Sequence, residues 1–304
     1  MRVLVTGASG FVGHWMLEHL EAAGDEVLGL DESVDITAPE GLMEAVTAFG
    51  PEGICHLAAQ ASVGASWTSP AATFEVNTLG VVHLLEAALA CEAPPRVLLV
   101  SSAEVYGVVT PDSLPIGEDH PFAPASPYAA SKAAAELIGL QYWLGKGLEV
   151  VRARPFNHTG AGQRPDFVVP SLARQVTEAA RHGLGELAAG NLDVRRDITD
   201  VRDVVRAYRA LLVEGQPGEA YNVCRGESVT IASVATRLLQ LAGLNLPIRV
   251  DPARLRPVDL PDLRGDAAKI RAATSWKPEI DLDETLSDVL AYWSDPARQE
   301  SPSS

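Results

Sequence analysis

The chain is poor in cysteine, in lysine and in positive charge, and it holds no long apolar run. Its three cysteines, Cys55, Cys91 and Cys224, are odd in number and far apart, with no CxxC pair and no zinc-type His/Cys spacing. That excludes a disulfide framework, points to no metal site, and predicts free thiols in a reducing compartment. The formal net charge of −16 argues against non-specific binding to nucleic acid or to an anionic membrane, so an acidic ligand would need its own local arginines. No apolar stretch reaches the ~18 residues of a membrane span, and Met1 runs directly into the strand-like RVLVT without a leader pattern, so a soluble cytoplasmic protein is expected. No internal repeat is visible. Arginine supplies 20 of the 24 basic residues, which suits bidentate recognition of phosphate and is equally what a biased genome would give.

What is present suffices for a sizeable core: 304 residues, 47% of them hydrophobic, make one large domain or two lobes. Strand-like runs RVLVT, EVLGLD, GICHLAA, RVLLVSS and LEVVRARP alternate with helix-like runs near 12–23, 39–49, 71–91 and 128–145. Such alternation predicts an α/β fold with a doubly wound parallel sheet of the Rossmann kind. Beyond Pro155 the pattern loosens through GAGQRPDF, a helix near 168–183 and a loop carrying Arg195 and Arg196, where a smaller lobe is expected to begin. A helix at 201–213 and the strand AYNVC at 220–224 are expected to return to the sheet. The expected division is 1–160 plus 198–226 for dinucleotide binding, 161–197 and 227–295 for a C-terminal α/β substrate lobe, and a tail over 296–304.

Gly7, Gly10 and Gly13 form a GxxGxxG turn between a strand and a helix, where a pyrophosphate would rest on backbone N–H groups at the helix N-terminus. Asp31 ends the second strand, where a carboxylate accepts from a ribose 2′-hydroxyl and repels a 2′-phosphate, with Glu32 adding to the repulsion. NAD(H) is therefore expected ahead of NADP(H), which stays possible; a solvated turn acid is the plain alternative for Asp31. Asp35 and Ile36 are placed near an adenine. HLAAQ at 56–60 ends a third strand with small residues that let a cofactor pass, or simply pack a strand end. Asn77 in EVNTLG caps or kinks a helix or joins a proton relay.

The run SSAEVYG at 101–107 and the pair Tyr128 and Lys132 in YAASK carry the chemistry. A tyrosine and a lysine four apart share one helical face, so the ammonium, together with the positive nicotinamide ring, is expected to depress the phenol pKa toward neutrality. Ser102 would hold the same substrate oxygen, and hydride plus proton interconvert a carbinol and a ketone.

These motifs resemble the extended short-chain dehydrogenase/reductase family over nearly the whole chain. SSAEVYG, SPYAASKAAAE, RPFNHTGAGQ, FVVPSLARQ, RRDITDVRDVV, YNVC and LRPVDLPDLRGD are most similar to the branch that reduces GDP-4-keto-6-deoxy-D-mannose to GDP-D-rhamnose. The resemblance implies Ser102, Tyr128 and Lys132 as catalytic, with Tyr128 protonating the alkoxide that hydride forms at C4. Cofactor contacts are expected along Gly7, Gly10, Phe11, Val12, Gly13, Asp31, Asp35, Ile36, Leu57, Ala58, Ala59, Gln60, Ser101, Pro155, Asn157 and His158. His158 would shape the nicotinamide pocket. For the sugar nucleotide, the resemblance offers Arg196 and Arg256 to the diphosphate and Asp259 to the ribose, together with Ser102, Glu104, Asn157, Val168 and Arg174; for each arginine a solvated surface role competes. Glu104 stands where related dehydratases of GDP-mannose carry the base for the C5 proton, and as a hydrogen-bonding partner for sugar hydroxyls it suits a reductase. Dehydratase, nucleotide-sugar C4 epimerase and non-catalytic dinucleotide sensor are the competing functions. Helices near 71–91 and 128–145 are apolar on more than one face, which suggests burial on both sides; the resemblance implies a homodimer through this pair, with a wholly intramolecular core as the alternative.

Overall fold

A computed structural model describes residues 1–255 and 258–295. Strands β1 (Arg2–Thr6), β2 (Glu26–Leu30), β3 (Gly53–His56), β4 (Arg96–Val100) and β5 (Val150–Pro155) are connected through helices α1 (Phe11–Ala22), α2 (Pro39–Phe49), α3 (Val63–Thr68), α4 (Pro70–Phe74), α5 (Gly80–Leu89) and α6 (Pro127–Lys146). There follow β6 (Asn157–Thr159), α7 (Val168–His182), β7 (Leu187–Ala189), β8 (Arg195–Arg196), β9 (Ile198–Asp200), α8 (Val201–Glu214) and β10 (Ala220–Val223). The chain closes with β11 (Val229–Thr230), α9 (Ile231–Leu241), β12 (Ile248–Val250), β13 (Asp262–Leu263), α10 (Ala268–Ala273) and α11 (Leu282–Ser294).

The main sheet has the order β10-β5-β4-β3-β1-β2, and every neighbouring pair in it is parallel. Helices cover both faces, so all of β3 and β5 is buried, including Arg152 and Arg154 of β5. The order reverses at β1: β2 lies on one side and β3 on the other, and the loops leaving their carboxyl ends diverge to open a crevice.

Local sequence explains the helix that matters most. In α6, Ser126 caps the start by accepting from Ala129 N at 3.1 Å, Pro127 takes the first turn, and Gly147 ends the helix in the left-handed region at φ 71°. The single helix expected over 71–91 is instead broken. A π-helical turn, Glu75–Leu79, separates α4 from α5. Its wider winding turns the buried Asn77 toward α6, where Nδ2 donates to Ser131 Oγ at 2.9 Å and to the Gln60 carbonyl at 3.2 Å, and Oδ1 accepts from Gln60 N at 2.8 Å. Such π turns recur at functional sites.

Two hydrophobic clusters flank the sheet. A third, with Leu172, Val176, Ile231, Leu238, Val289 and Trp293, is built by α7, α9 and α11. In the same part of the chain β8 lies between β11 and β13. Strand β6 pairs with β9, so the chain comes back beside the carboxyl end of β5 before α8 and β10 rejoin the sheet.

Candidate active site

The glycine turn lies at the carboxyl end of β1. Gly7 has φ 70°, and a Cβ there would stand 2.8 Å from Ala58 N; a Cβ on Gly13 would stand 2.1 Å from the Gly7 carbonyl oxygen. Gly10 is the N-cap of α1 and makes no side-chain cap, so the first N–H groups of the helix point at whatever anion enters the turn. Phe11 and Val12 begin the helix, and the His158 ring of β6 stacks on Phe11 with centroids 6.4 Å apart.

Asp31 is exposed one residue past β2. Hydrogen bonds from Ser33, including its N–H at 2.9 Å, hold the Asp31 carboxyl below its ordinary pKa. Asp35 turns onto Thr37, accepting from its N and Oγ1 at 2.8 and 2.7 Å. Ile36 is 8% exposed and packs against Gly80, where a Cβ would stand 2.8 Å from it. Leu57, Ala58, Ala59 and Gln60 leave β3 through a turn tied to β1 by Ala58 N on Thr6 Oγ1 at 3.2 Å. Gln60 Oε1 and Asn157 Oδ1 are buried with no hydrogen-bond partner. Buried amide oxygens left unpaired cost ~1–3 kcal/mol each, so both suit polar groups of a bound nicotinamide dinucleotide. Together with the uncapped helix start, these residues fit such a cofactor. Among the described residues no cluster of His, Cys, Asp or Glu could hold a metal ion.

The candidate reacting side chains come from the end of β4 and the start of α6. Ser101 and Ser102 follow β4 directly, and Ser102 Oγ accepts from Glu104 N at 3.2 Å, opening the short 3-10 turn Ala103–Tyr106 that presents Glu104. Tyr128 lies in the first turn of α6 with Lys132 one turn on. Lys132 is 5% exposed, its Nζ donates to the Val100 carbonyl at 2.9 Å, and burial pushes its pKa down to about 8. The expected depression of Tyr128 by Lys132 is not found. Burial pushes the phenol up to about 12, the Ser102 hydrogen bond opposes that, and the Glu104 charge adds to it. Lys132 directs its charge to a backbone carbonyl, so the chain alone keeps Tyr128 protonated. That is the state that can donate a proton to an alkoxide.

A pH profile follows from Lys132. Its charged form prevails below about 8 and is lost above, so turnover is expected to hold a plateau on the acid side and fall along a one-proton limb near pH 8. An unbroken plateau up to about pH 10 in kcat against pH would show that the Lys132 charge is not required.

Beside Glu104 a narrow cleft is lined by Ser126, Arg196 and Asp259 on its polar side and by Val63, Trp67, Val258 and Leu260 on its apolar side. Arg196 is 6% exposed, with Nη1 donating to the carbonyls of Arg195 (2.8 Å) and Leu260 (2.7 Å) and Nη2 lying 3.5 Å from Asp259. Tertiary structure therefore brings Arg196, Asp259 and Glu104 together. Arg174 on α7 lies 3.6 Å from Glu178 and does not line this cleft; Val168, at the start of α7, is exposed. Arg256 lies outside the described residues. Val63, Trp67 and Ser126 escaped the sequence reading because only packing brings α3 and the α6 cap to this wall. A separate cavity of about 270 Å³ is lined by Trp15, Ala161, Arg202 and Tyr292. It carries none of the reacting groups, and its Arg202 is spent on Asp200 and Asp288.

The parallel sheet, the glycine turn and the Ser102, Tyr128 and Lys132 face define an NAD(P)-dependent enzyme of the short-chain dehydrogenase/reductase class. A family model for GDP-mannose 4,6 dehydratase matches residues 32–289, and the chain belongs to that family. A GDP-6-deoxy-D-mannose reductase of Pseudomonas aeruginosa is 39% identical over 98% of this chain and 99% of its own. The solved structure of RMD from Pseudomonas aeruginosa complexed with NADPH has a TM-score of 0.91 at 38% identity, covering 96% of this chain and 98% of that one. A Thermus thermophilus UDP-glucose 4-epimerase in complex with NAD has a TM-score of 0.87 at 33% identity, covering 96% and 99%.

Proposed function

We propose that the protein reduces the C4 ketone of GDP-4-keto-6-deoxy-D-mannose to GDP-D-rhamnose with a reduced nicotinamide cofactor. The observation that carries this reading is the Tyr128 hydroxyl hydrogen-bonded to Ser102, with the buried Lys132 one helical turn on, a set that can hold a carbonyl oxygen and give it a proton. A base would need that phenol ionised; an acid does not. When bound, the cofactor supplies hydride to C4. Ser102 and Tyr128 hold the carbonyl oxygen, Tyr128 passes its proton to the oxygen as charge builds, and Lys132 keeps a positive charge behind the site. Arg196 faces the diphosphate, with Asp259 set for a ribose hydroxyl. The likeness to the Pseudomonas aeruginosa reductase supports the same substrate.

Dehydration of GDP-mannose is the second reading, favoured by Glu104 on the cleft wall. The test incubates the enzyme with GDP-4-keto-6-deoxy-mannose and coenzyme in deuterated water. We expect one coenzyme oxidised per sugar and no deuterium at C5, with Glu104→Gln slowing reduction by about tenfold or less. Formation of the keto sugar from GDP-mannose without net coenzyme use, or C5 exchange that vanishes in Glu104→Gln, sinks the reductase reading.

Asp31 supports NADH as the tighter cofactor, because its carboxylate cannot accept a 2′-hydroxyl and also admit a 2′-phosphate. Asp31→Ala is expected to narrow the preference by ~1–2 kcal/mol. Calorimetric titration of both coenzymes decides it: wild-type protein that binds NADPH as tightly as NADH removes the role given to Asp31. The exposed Leu79, Leu137 and Leu144 on the π turn and α6 support a homodimer through these helices, and the buried free cysteines suit a reducing cytoplasm.

A further inference from the structure

Tyr106 of SSAEVYG, Glu136 of SKAAAE, Arg154 of RARP and Asn222 of YNVC have no part in the chemistry above, yet they meet in one buried cluster. Glu136 lies one helical turn past Lys132 on α6 and is 0% exposed. Its carboxylate accepts from Arg154 Nε at 2.9 and 3.1 Å, from Arg154 Nη2 at 2.6 Å and from Arg152 Nη1 at 3.2 Å. Arg154 Nη1 reaches on to the Tyr106 hydroxyl at 2.8 Å and the Glu118 carbonyl at 2.7 Å. The guanidinium is also covered by the rings of Phe122 and Tyr106, 4.8 and 5.2 Å away. The Tyr106 hydroxyl in turn donates to Asn222 Oδ1 at 2.7 Å, and Asn222 Nδ2 donates to the Ile116 carbonyl at 2.8 Å.

A buried ion pair is a weak source of stability, because desolvating two charges offsets most of their attraction. What this cluster does is join, away from the reacting atoms, the two segments that carry the reacting groups. Tyr106 ends the turn that presents Glu104 just after Ser102, Glu136 sits on the helix that carries Tyr128 and Lys132, and Arg154 bonds both from the end of β5. We propose that Glu136, Arg154 and Tyr106 form a strut that sets the spacing between the Ser102/Glu104 turn and the Tyr128/Lys132 helix, and so act as positioning residues for proton transfer. The inference rests on Ser102, Tyr128 and Lys132 being the reacting face. Misplacement of such groups by about 1 Å is enough to slow a reaction up to 10²-fold.

Tyr106→Phe deletes one hydroxyl and keeps the ring; Glu136→Gln deletes the charge and keeps the shape. Arg154 is left in place because it bonds both segments; Glu136→Gln leaves the Arg152 and Arg154 guanidiniums without their carboxylate and is expected to lower stability, so kcat is read per folded enzyme and Tyr106→Phe, which removes no charge, is the cleaner variant. Each variant is expected to lower kcat by about tenfold with KM values within about twofold, and the double variant to be little worse than the worse single one. A second readout needs no sugar. The chain has four lysines, Lys132, Lys146, Lys269 and Lys277, so the side-chain titration of Lys132 can be followed by NMR of lysine-labelled protein. Loosening the strut admits water, and the Lys132 pKa is expected to rise from about 8 toward its ordinary value. Lower melting temperatures with kcat of the folded enzyme and the Lys132 titration both unchanged would overturn the proposal. Wild-type protein inert toward every 4-keto sugar would sink the substrate reading alone, and the Lys132 titration would still decide the strut.

Discussion

Tyr128→Phe is expected to lose roughly 10²–10⁴-fold in turnover while binding coenzyme as the wild type does. The ring that fills the start of α6 stays, so packing and the cofactor crevice are unchanged; only the proton is gone. Burial raises the phenol to about 12 against the opposing Ser102 hydrogen bond, so its value lies in giving up a proton as charge appears on the sugar oxygen. Fluorescence titration with coenzyme and single-turnover kinetics separate the two quantities. If Tyr128→Phe keeps most of its activity, another acid protonates C4, and Glu104 is the group in the cleft to examine next.

Gly13→Ala is expected to weaken coenzyme binding on the order of 100-fold, the upper end of the ~1–3 kcal/mol that overpacking imposes. The new Cβ would meet the Gly7 carbonyl oxygen at 2.1 Å and the Ala8 carbonyl oxygen at 2.7 Å. Both contacts are backbone, so either α1 withdraws or the turn opens, and each separates the helix start from the pyrophosphate. Gly41→Ala is the control: its Cβ meets nothing within 4 Å on α2, and stability should hold or rise by ~0.5–1 kcal/mol. Wild-type coenzyme affinity in Gly13→Ala, with Gly41→Ala also unchanged, would mean that the dinucleotide does not rest on this turn.

The parallel sheet was legible because strands buried on both faces are built mainly from apolar residues, as RVLLV of β4 is, while the charges buried in β5, Arg152 and Arg154, are held by Glu136. The glycine turn was legible for a similar reason: Gly7 needs φ 70° and Gly13 has no room for a side chain, so neither position tolerates another residue and the spacing appears in the string. Ser102, Glu104, Tyr128 and Lys132 lie in short runs whose helical spacing can be counted. The unbroken helix over 71–91 was misread because the demand that breaks it comes from Ser131, 54 residues away from Asn77.

Local chemistry in the amino-acid string, then, determines the glycine turn and the helical spacing of Tyr128 and Lys132, since turn conformation and helical periodicity depend on neighbours a few positions apart. The state of those residues is a tertiary matter. Tyr128 is driven up rather than down because desolvation counts every atom packed around the phenol, whereas Lys132 spends its bond on Val100. Arg196 and Asp259 pair from segments 63 positions apart, and Trp67 meets Glu104 only when α3 folds onto the cleft. Charge, burial and distance act through space, and only the folded chain supplies that space.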